Sequence, residues 1–304
     1  MPPREQKRIG LIGIGLVGTA LAENLLAAGF DVAGFDVVPA RCRKLEELGG
    51  TAASGPRDAA EGRRAVVLSL MTSRIVREVV VGPGGVLEAE PPPRFLIDTT
   101  TGDPEMTVRL AGELAERGIA YLDATISGSS AEIRRRDGVF LVGGDAEAVE
   151  ACRDVLEAVA RKHIHVGPAG NGAKCKLAVN LVMGLNRVAL AEGLVFGEAL
   201  GLGLRRLFAV LNETYAYSRV MDIKGPKMLA GDFQPGGRLA QHRKDVETIL
   251  DYAARLGLEL PLSQAHREIL ASAIAAGDGD LDNAAVIREL RRRAGRATRP
   301  PQGS

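Results

Sequence analysis

The chain has 304 residues, of which 46% are hydrophobic and 25% charged, and its 39 Lys and Arg nearly balance its 38 Asp and Glu. This length favours two domains, and the composition excludes a disordered chain and gives no sign of a nucleic-acid-binding surface. Its three cysteines, Cys42, Cys152 and Cys175, form no CxxC pair, which is typical of free thiols in a reducing compartment. We therefore expect a soluble cytoplasmic protein with no nucleic-acid partner.

A basic N-terminal segment followed by the apolar stretch Ile9–Ala22 is similar in composition to a signal peptide. Glycines recur through this stretch at spacings that suit a nucleotide-binding turn, namely at Gly10, Gly13, Gly15 and Gly18. The stretch is also shorter than the roughly 20 apolar residues that span a bilayer. We expect no other segment to come closer to that length, and we predict no membrane association.

From Arg8 to about Val166, short β-branched runs alternate with segments rich in Ala, Leu and Glu. This alternation predicts βαβ units and a mostly parallel, doubly wound sheet, which is an α/β Rossmann domain over residues 1–167. The predicted strands are Ile9–Ile14, Asp31–Phe35, Ala65–Leu70, Phe95–Ile97, Tyr121–Asp123, Val139–Val142 and His163–Val166.

The pattern changes after Gly167–Gly170, because no β-rich run follows and helical periodicity continues to Gly295. This change predicts an all-α C-terminal domain over 168–296 and a disordered tail over 297–304. The first helix of that domain is predicted over Gly172–Leu200, a length of about 40 Å. We expect such a long helix to connect the domains or to form a subunit interface in a homodimer or homotetramer.

The first predicted strand leads into a GxGxxG turn and then into a helical segment, which is the context of a dinucleotide-binding turn. The predicted cofactor-binding residues of this turn are Gly13, Gly15, Leu16, Val17 and Gly18. Asp36 ends the next strand, where a carboxylate accepts hydrogen bonds from the adenosine ribose. We therefore predict NAD as the cofactor, with NADP possible because Arg41 and Arg43 follow. The alternative is that Gly18 and Asp36 serve only a tight turn and a strand end.

Lys176 and Asn180 lie four residues apart at the start of the long predicted helix and therefore share one face, whereas Lys174 points elsewhere. A lysine beside an amide suits proton transfer to and from a substrate oxygen. Burial would lower the pKa of Lys176 toward the working pH. The alternative that Lys176 is a solvated surface residue stays open on this pattern alone.

Ordered motifs along nearly the whole chain resemble the β-hydroxyacid dehydrogenase family, which includes 3-hydroxyisobutyrate dehydrogenase and tartronate semialdehyde reductase. The motifs are IGLIGIGLVG at 9–18, SLMTS at Ser69–Ser73, IDTTTGDP at Ile97–Pro104, DATISG at Asp123–Gly128, GNGAKCKLAVN at Gly170–Asn180, AEG around Glu192 and DFxxxxxLxxxRKD ending at Asp245. The resemblance implies hydride transfer between a nicotinamide cofactor and a small, carboxylate-bearing β-hydroxy acid or its semialdehyde.

The same resemblance implies roles for individual residues. Ser127 and Gly128 would hold the substrate carboxylate. Lys176 would be the catalytic acid/base, and Asn180 would orient the substrate. Lys244 would close over the site from the helical domain and contact substrate and cofactor. The residues implied to line the nicotinamide are Met71, Thr72 and Thr101.

Departures from the family pattern are concentrated after the substrate motif. The family sequence here is DAPVSGG followed by a glycine-rich loop. This chain has Thr125 in place of the proline, Ser129 in place of the second glycine, and the segment from Glu132 to Arg136 in place of small residues. We expect a stiffer, more polar loop, and therefore a substrate that can differ from those of the family's named members. Within this loop Arg134–Arg136 suits either an acidic substrate or a solvated charged turn, and we favour the turn. The family's Asn–Asn pair is Val179-Asn180 here.

Two other functions stay open. An imine reductase shares this architecture, but such relatives typically replace the lysine that this chain retains as Lys176. A non-catalytic dinucleotide sensor would bind NAD(H) without turnover of any hydroxy acid or semialdehyde.

Two weaker features are interpreted as structural. His163 and His165 share a predicted strand face but have no third ligand at metal-site spacing, so we predict no metal. The basic run Arg288–Arg299 has no interleaved aromatic residues for base stacking. We therefore interpret it as a solvated helix end and tail.

Overall fold

The computed structural model of the chain describes residues 7–297. The chain divides into two compact units, Met1–Lys176 and Leu177–Ser304. The predicted disordered tail lies outside the described residues from position 298 onward.

The described part of the first unit contains one eight-stranded sheet in the order β3-β2-β1-β4-β5-β6-β7-β8. The strands are β1 (Arg8–Ile12), β2 (Asp31–Phe35), β3 (Thr51–Ala52), β4 (Ala65–Leu68), β5 (Phe95–Asp98), β6 (Ala120–Ser127), β7 (Val139–Gly143) and β8 (Lys162–His165). Only the β6–β7 pair in this sheet is antiparallel, so the predicted mostly parallel sheet is confirmed. The sequence analysis missed β3, which has two residues, and it underestimated the length of β6.

Helices cover both faces of this sheet. They are α1 (Leu16–Ala27), α2 (Pro39–Glu47), α3 (Pro56–Ala60), α4 (Ser73–Val81), α5 (Pro104–Ala115), α6 (Ser130–Arg134), α7 (Ala146–Ala151) and α8 (Arg153–Val159). Successive strand residues point to opposite faces. Leu11 and Val67 accordingly belong to one buried cluster, and Ile12 and Leu68 belong to another. These two apolar layers explain why the strands have nearly continuous hydrophobic sequences.

The secondary structure described for the second unit is helical, as predicted. The helices are α9 (Asn171–Ala199), which begins in the first unit, α10 (Leu204–Asn212), α11 (Val220–Ala230), α12 (Leu239–Arg255), α13 (Pro261–Ala273) and α14 (Val286–Arg293). A buried apolar cluster that includes Leu190, Leu194, Val246 and Leu270 forms the core of this unit.

Helix α9 is long and apolar enough to cross a membrane by length and composition, the one such helix among the described residues. The expectation that no segment comes closer to a membrane span than Ile9–Ala22 is therefore wrong. A core helix of a soluble protein passes the same test, and 44% of the most apolar window of α9 is buried. The helix by itself does not indicate a membrane span, and assembly of subunits through it stays a prediction.

The start of α9 is held on strand β6 by a buried carboxylate. Asp123, which is 2% exposed, accepts the backbone N–H of Gly170 at 2.9 Å and that of Ala173 at 2.8 Å. The first N–H groups of a helix have no partner within the helix, and a negative charge is favourable there. Burial raises the pKa of Asp123, and the backbone N–H donors at the helix start oppose that rise. Asp123 therefore caps a helix that begins about 50 residues later in the chain.

Small residues and one hydroxyl complete this junction. Thr125, which replaces the proline of the family pattern, donates its hydroxyl to the carbonyl oxygen of Gly172 at 2.9 Å. A Cβ at Gly172 would clash with the carbonyl oxygen of Asp123, and one at Gly143 would clash with the Asp123 carboxylate. The departure at position 125 thus adds a contact to α9 that a proline could not make.

We expect Asp123→Ala to lower the free energy of unfolding by about 2–5 kcal/mol, because two buried N–H groups lose their acceptor. Asp145→Ala is the matched control. Asp145 caps α7 with two N–H contacts, at 2.9 and 3.2 Å, but it is exposed, so its loss should cost about 1 kcal/mol. Urea unfolding followed by circular dichroism measures both values. Equal losses in the two variants would contradict the proposed anchoring of α9.

Candidate active site

The glycine-rich turn after β1 has the geometry of a phosphate-binding turn. Gly13 has a φ of +92°, and a side chain there would clash with the carbonyl oxygen of Ser69. A Cβ at Gly18 would clash with the carbonyl oxygen of Gly13, whereas nothing lies within 4 Å of a Cβ at Gly15. Gly13 therefore makes the tight turn, Gly15 leaves open space for a phosphate, and Gly18 permits the helix to pack closely on the strand. These are the three roles that the dinucleotide-binding fingerprint requires.

The N-terminus of α1 is free to bind an anion. Gly15 provides no side-chain cap, and the first turn contains no acidic residue. Leu16 is exposed and Val17 half-buried in that turn. Unpaired N–H groups and the helix dipole attract a phosphate at this position, so the turn fits a dinucleotide pyrophosphate.

Asp36 lies beside this turn, as its place at the end of β2 predicts. Its carboxylate accepts the N–H of Ile14 at 2.8 Å and the N–H of Val38 at 2.9 Å. Arg41 reaches back from α2 and places its Nη1 3.2 Å from both carboxylate oxygens. The Arg41 guanidinium is therefore paired with the carboxylate that is predicted to bind the adenosine ribose. The sequence alone did not decide whether Arg41 makes this contact.

The residues assigned to the nicotinamide lie on two neighbouring loops. Met71 and Thr72 follow β4, Thr101 follows β5, and these strands are adjacent and parallel. The Thr100 hydroxyl accepts the N–H of Leu70 at 3.1 Å and so ties the two loops together. Met71 and Thr101 are exposed, whereas the hydroxyl of Thr72 caps α4 by accepting the N–H of Ile75.

A buried acid and phenol behind these loops were missed by the sequence analysis. Asp98 accepts the Tyr121 hydroxyl and the N–H of Thr100, the latter at 2.9 Å. Burial raises the pKa of Asp98 to about 6, although both hydrogen-bonding partners oppose the rise. Asp98 was visible in the family motif at Ile97–Pro104, but nothing in the motif showed that its carboxyl group faces a tyrosine from the next strand.

The titration of Asp98 predicts a pH dependence of stability. Since its pKa is about 6 in the folded chain and about 3.8 otherwise, the folded chain binds the proton more tightly. The free energy of unfolding should therefore fall as pH rises from about 3 to about 7, by roughly 3 kcal/mol. Asp98→Asn should remove this fall. Urea titrations of both proteins between those pH values provide the test, and parallel curves would contradict the assignment.

The substrate motif ends β6. Ser127 is its last residue and is half-buried, and Gly128 is exposed. Ser129 then caps α6 in a reciprocal arrangement in which Glu132 accepts the Ser129 N–H at 2.8 Å. The loop is therefore polar and internally braced, in agreement with the expectation. Arg134 pairs with Glu23 of α1, which favours a charged structural turn.

Lys176 and Asn180 are both buried on α9, with exposures of 8% and 4%, whereas Lys174 is exposed. The face predicted from their spacing is therefore a buried face. The Asn180 Oδ1 atom is buried and has no hydrogen-bond partner among the described residues. Lys244 is exposed on α12 in the second unit. Asp123 thus fixes the helix of Lys176 to the same strand that ends in Ser127.

The interpretation of the C-terminal basic run as a solvated helix end is wrong for α14. Arg291 is fully buried and pairs with Glu198 at 3.0 Å, and Arg292 pairs with buried Asp278 at 2.8 Å. These arginines join the last helix to the rest of the second unit. No group of three or more potential metal ligands is found in residues 7–297.

The fold and the glycine turn define a dinucleotide-binding protein of the Rossmann class. Two family models match the chain: the NAD binding domain of 6-phosphogluconate dehydrogenase over residues 8–167, and the NAD-binding domain of NADP-dependent 3-hydroxyisobutyrate dehydrogenase over residues 170–290.

Curated relatives and a solved structure agree with these matches. The 2-hydroxy-3-oxopropionate reductase of Escherichia coli is 30% identical over 81% of this chain and 85% of its own. The 3-sulfolactaldehyde reductase of the same organism is 32% identical over 83% and 85%. The structure of Mycobacterium tuberculosis 3-hydroxyisobutyrate dehydrogenase with L-serine has a TM-score of 0.84 at 29% identity and covers 94% of this chain and 99% of that one. The chain spans less than half of another relative, the nuclear factor N-PAC of Aedes aegypti.

The chain therefore belongs to the β-hydroxyacid dehydrogenase family, whose members are NAD(P)-dependent oxidoreductases that act on CH–OH groups. The resemblance seen in the sequence is confirmed.

Proposed function

We propose that this protein oxidises the hydroxyl-bearing carbon of a small β-hydroxy acid, or reduces the corresponding semialdehyde, with Lys176 as general acid/base. The observation that carries the proposal is the buried face shared by Lys176 and Asn180, on a helix that Asp123 fixes to strand β6. Two relatives are named for the reduction of 2-hydroxy-3-oxopropionate and 3-sulfolactaldehyde, both small aldehydes that carry an acid group. Neither the imine reductase nor the sensor is better supported.

In this proposal the chain binds the substrate and moves one proton. The bound nicotinamide supplies the hydride acceptor for oxidation. Lys176, as a neutral amine, takes the hydroxyl proton in oxidation and returns it in reduction. The amide of Asn180 orients the hydroxyl, while the Ser127 hydroxyl and the Gly128 N–H hold the carboxylate. Lys244 binds substrate and cofactor from α12.

We expect Lys176→Ala to lower kcat by about 100-fold or more, the scale of a general acid/base contribution. The dissociation constant for NADH should change little, because the substitution leaves the glycine turn intact. Lys174→Ala is the matched control, since it removes an exposed lysine from the same helical turn. Steady-state kinetics on a panel of hydroxy acids and semialdehydes, with NADH binding followed by fluorescence, measure both effects. Wild-type turnover in both variants would refute the role of Lys176.

We also propose that the protein prefers NAD(H) to NADP(H). In this proposal the Asp36 carboxylate accepts hydrogen bonds from both ribose hydroxyls of NAD(H) and repels the 2′-phosphate of NADP(H). We expect kcat/KM to favour NADH over NADPH by roughly 5- to 150-fold, or about 1–3 kcal/mol. Arg41 partly neutralises this carboxylate, so Arg41→Ala should widen the preference. Arg43→Ala is the control from the same helix, and the double substitution of Asp36 by Ser and Val37 by Arg should reverse the preference. A wild-type enzyme that favours NADPH would refute the role assigned to Asp36.

A further inference from the structure

The two loops that carry the residues assigned to the nicotinamide are joined by polar contacts within the first unit. Three of these contacts connect the loop after β4 with the loop after β5. They are Thr99 Oγ1 to the Leu68 carbonyl oxygen at 2.8 Å, the Leu70 N–H to Thr100 Oγ1 at 3.1 Å, and the Asp103 N–H to Ser73 Oγ at 2.7 Å. The middle contact directly precedes the exposed residues Met71 and Thr101. The Thr100 hydroxyl therefore fixes these two exposed positions relative to each other.

The Thr100 hydroxyl is itself held by the buried Asp98. The Asp98 carboxylate accepts the Thr100 N–H at 2.9 Å, the Thr100 hydroxyl and the Tyr121 hydroxyl. An ionised carboxylate has only acceptors, so it satisfies all three donors. Because the Thr100 hydroxyl donates to Asp98, its oxygen is a better acceptor for the Leu70 N–H. A series of hydrogen bonds thus runs from Asp98 through Thr100 to the residue before Met71.

Protonation of Asp98 would disturb this series. A neutral carboxyl group carries a proton of its own that needs an acceptor, and the hydroxyls in contact with it belong to Thr100 and Tyr121. A Thr100 oxygen that accepts this proton competes with its own bond from the Leu70 N–H. Since burial raises the pKa of Asp98 to about 6, both forms are populated at mildly acidic pH.

The neighbouring strands determine this ionisation. Asp98 lies opposite Asp123 in the β5–β6 register and opposite the apolar Leu68 in the β4–β5 register. The charge of Asp123 raises the pKa of Asp98, whereas the hydrogen bonds from Tyr121 and Thr100 lower it. Both titratable neighbours belong to β6, so the carboxylate is isolated from the exposed side of the loops that it holds.

We propose that the ionised Asp98 is a positioning residue for the nicotinamide half of the cofactor, and that it acts through Thr100 on the loops after β4 and β5. The adenosine half is assigned to the glycine turn and Asp36, which follow β1 and β2, so Asp98 should leave its binding unchanged. This inference rests on the cofactor part of the proposed function, and it is independent of Lys176 and of the substrate.

Calorimetric titration with NAD⁺ and with ADP-ribose tests the proposal, because ADP-ribose lacks only the nicotinamide. For the wild type we expect the dissociation constant of NAD⁺ to rise by about 3- to 10-fold as pH falls from about 7.5 to about 5, and that of ADP-ribose to change by less than about 2-fold. Asp98→Asn adds a donor like that of the protonated acid, so it should bind NAD⁺ weakly throughout this pH range. Glu116→Gln, at an exposed carboxylate after α5, is the control and should behave as the wild type.

Thr100→Val provides a second variant, which carries the test if Asp98→Asn does not fold. It removes the hydroxyl between the two loops but keeps Asp98, so NAD⁺ binding should be weak and independent of pH, with ADP-ribose binding unchanged. A general loss of stability predicts the opposite pH dependence, because ionisation of Asp98 lowers the free energy of unfolding as pH rises, whereas NAD⁺ affinity should increase.

Two results would overturn the proposal. One is an NAD⁺ affinity that varies with pH in Asp98→Asn or in Thr100→Val as it does in the wild type. The other is an ADP-ribose affinity that falls together with that of NAD⁺. If the expected pattern is found but no hydroxy acid or semialdehyde is turned over, the positioning role of Asp98 is supported and the catalytic part of the proposed function fails.

Discussion

The organisation of the first unit around its proposed acid/base depends on one buried contact, the Asp123 carboxylate at the N-terminus of α9. Unpaired N–H groups at a helix start and an unsolvated carboxylate are each unfavourable when buried. Here the N–H groups of Gly170 and Ala173 donate hydrogen bonds to the Asp123 carboxylate, so each satisfies the other. The strand that carries Asp123 also ends in Ser127, and the helix that it caps carries Lys176. One junction therefore fixes the register of both segments that the family assigns to the substrate.

The cofactor side depends on a different constraint, the close approach of backbone to backbone. Gly13 and Gly18 admit no side chain because carbonyl oxygens occupy the space, whereas Gly15 faces open space in front of an uncapped helix. Asp36 and Arg41 form a small charge pair next to this turn. In the proposed preference for NAD(H), the strength of selection depends on how far the Arg41 guanidinium offsets the charge of the Asp36 carboxylate, and therefore on two side chains rather than on the fold.

Local patterns predicted the parts of the structure that local chemistry determines. The strands, the glycine turn and the face of Lys176 follow from residues that are near in sequence. The Asp98–Tyr121 pair, the capping of α9 by Asp123 and the burial of Arg291 did not follow, because each depends on partners from a distant segment. The burial of Arg187 and His266 could not be predicted from the sequence either, because it also depends on distant segments. A single arginine on a helix is normally predicted to be a surface residue.

We expect Asp123 to affect the proposed reaction only by holding the helix of Lys176 in place. A double-mutant cycle on kcat with Asp123→Asn and Lys176→Ala, measured where all four proteins are folded, tests this claim most directly. Asp123→Asn should lower kcat by about 10-fold when Lys176 is present and by less than about 2-fold when it is absent. The same factor in both backgrounds would show that Asp123 and Lys176 act independently, and would contradict a role for Asp123 in positioning Lys176.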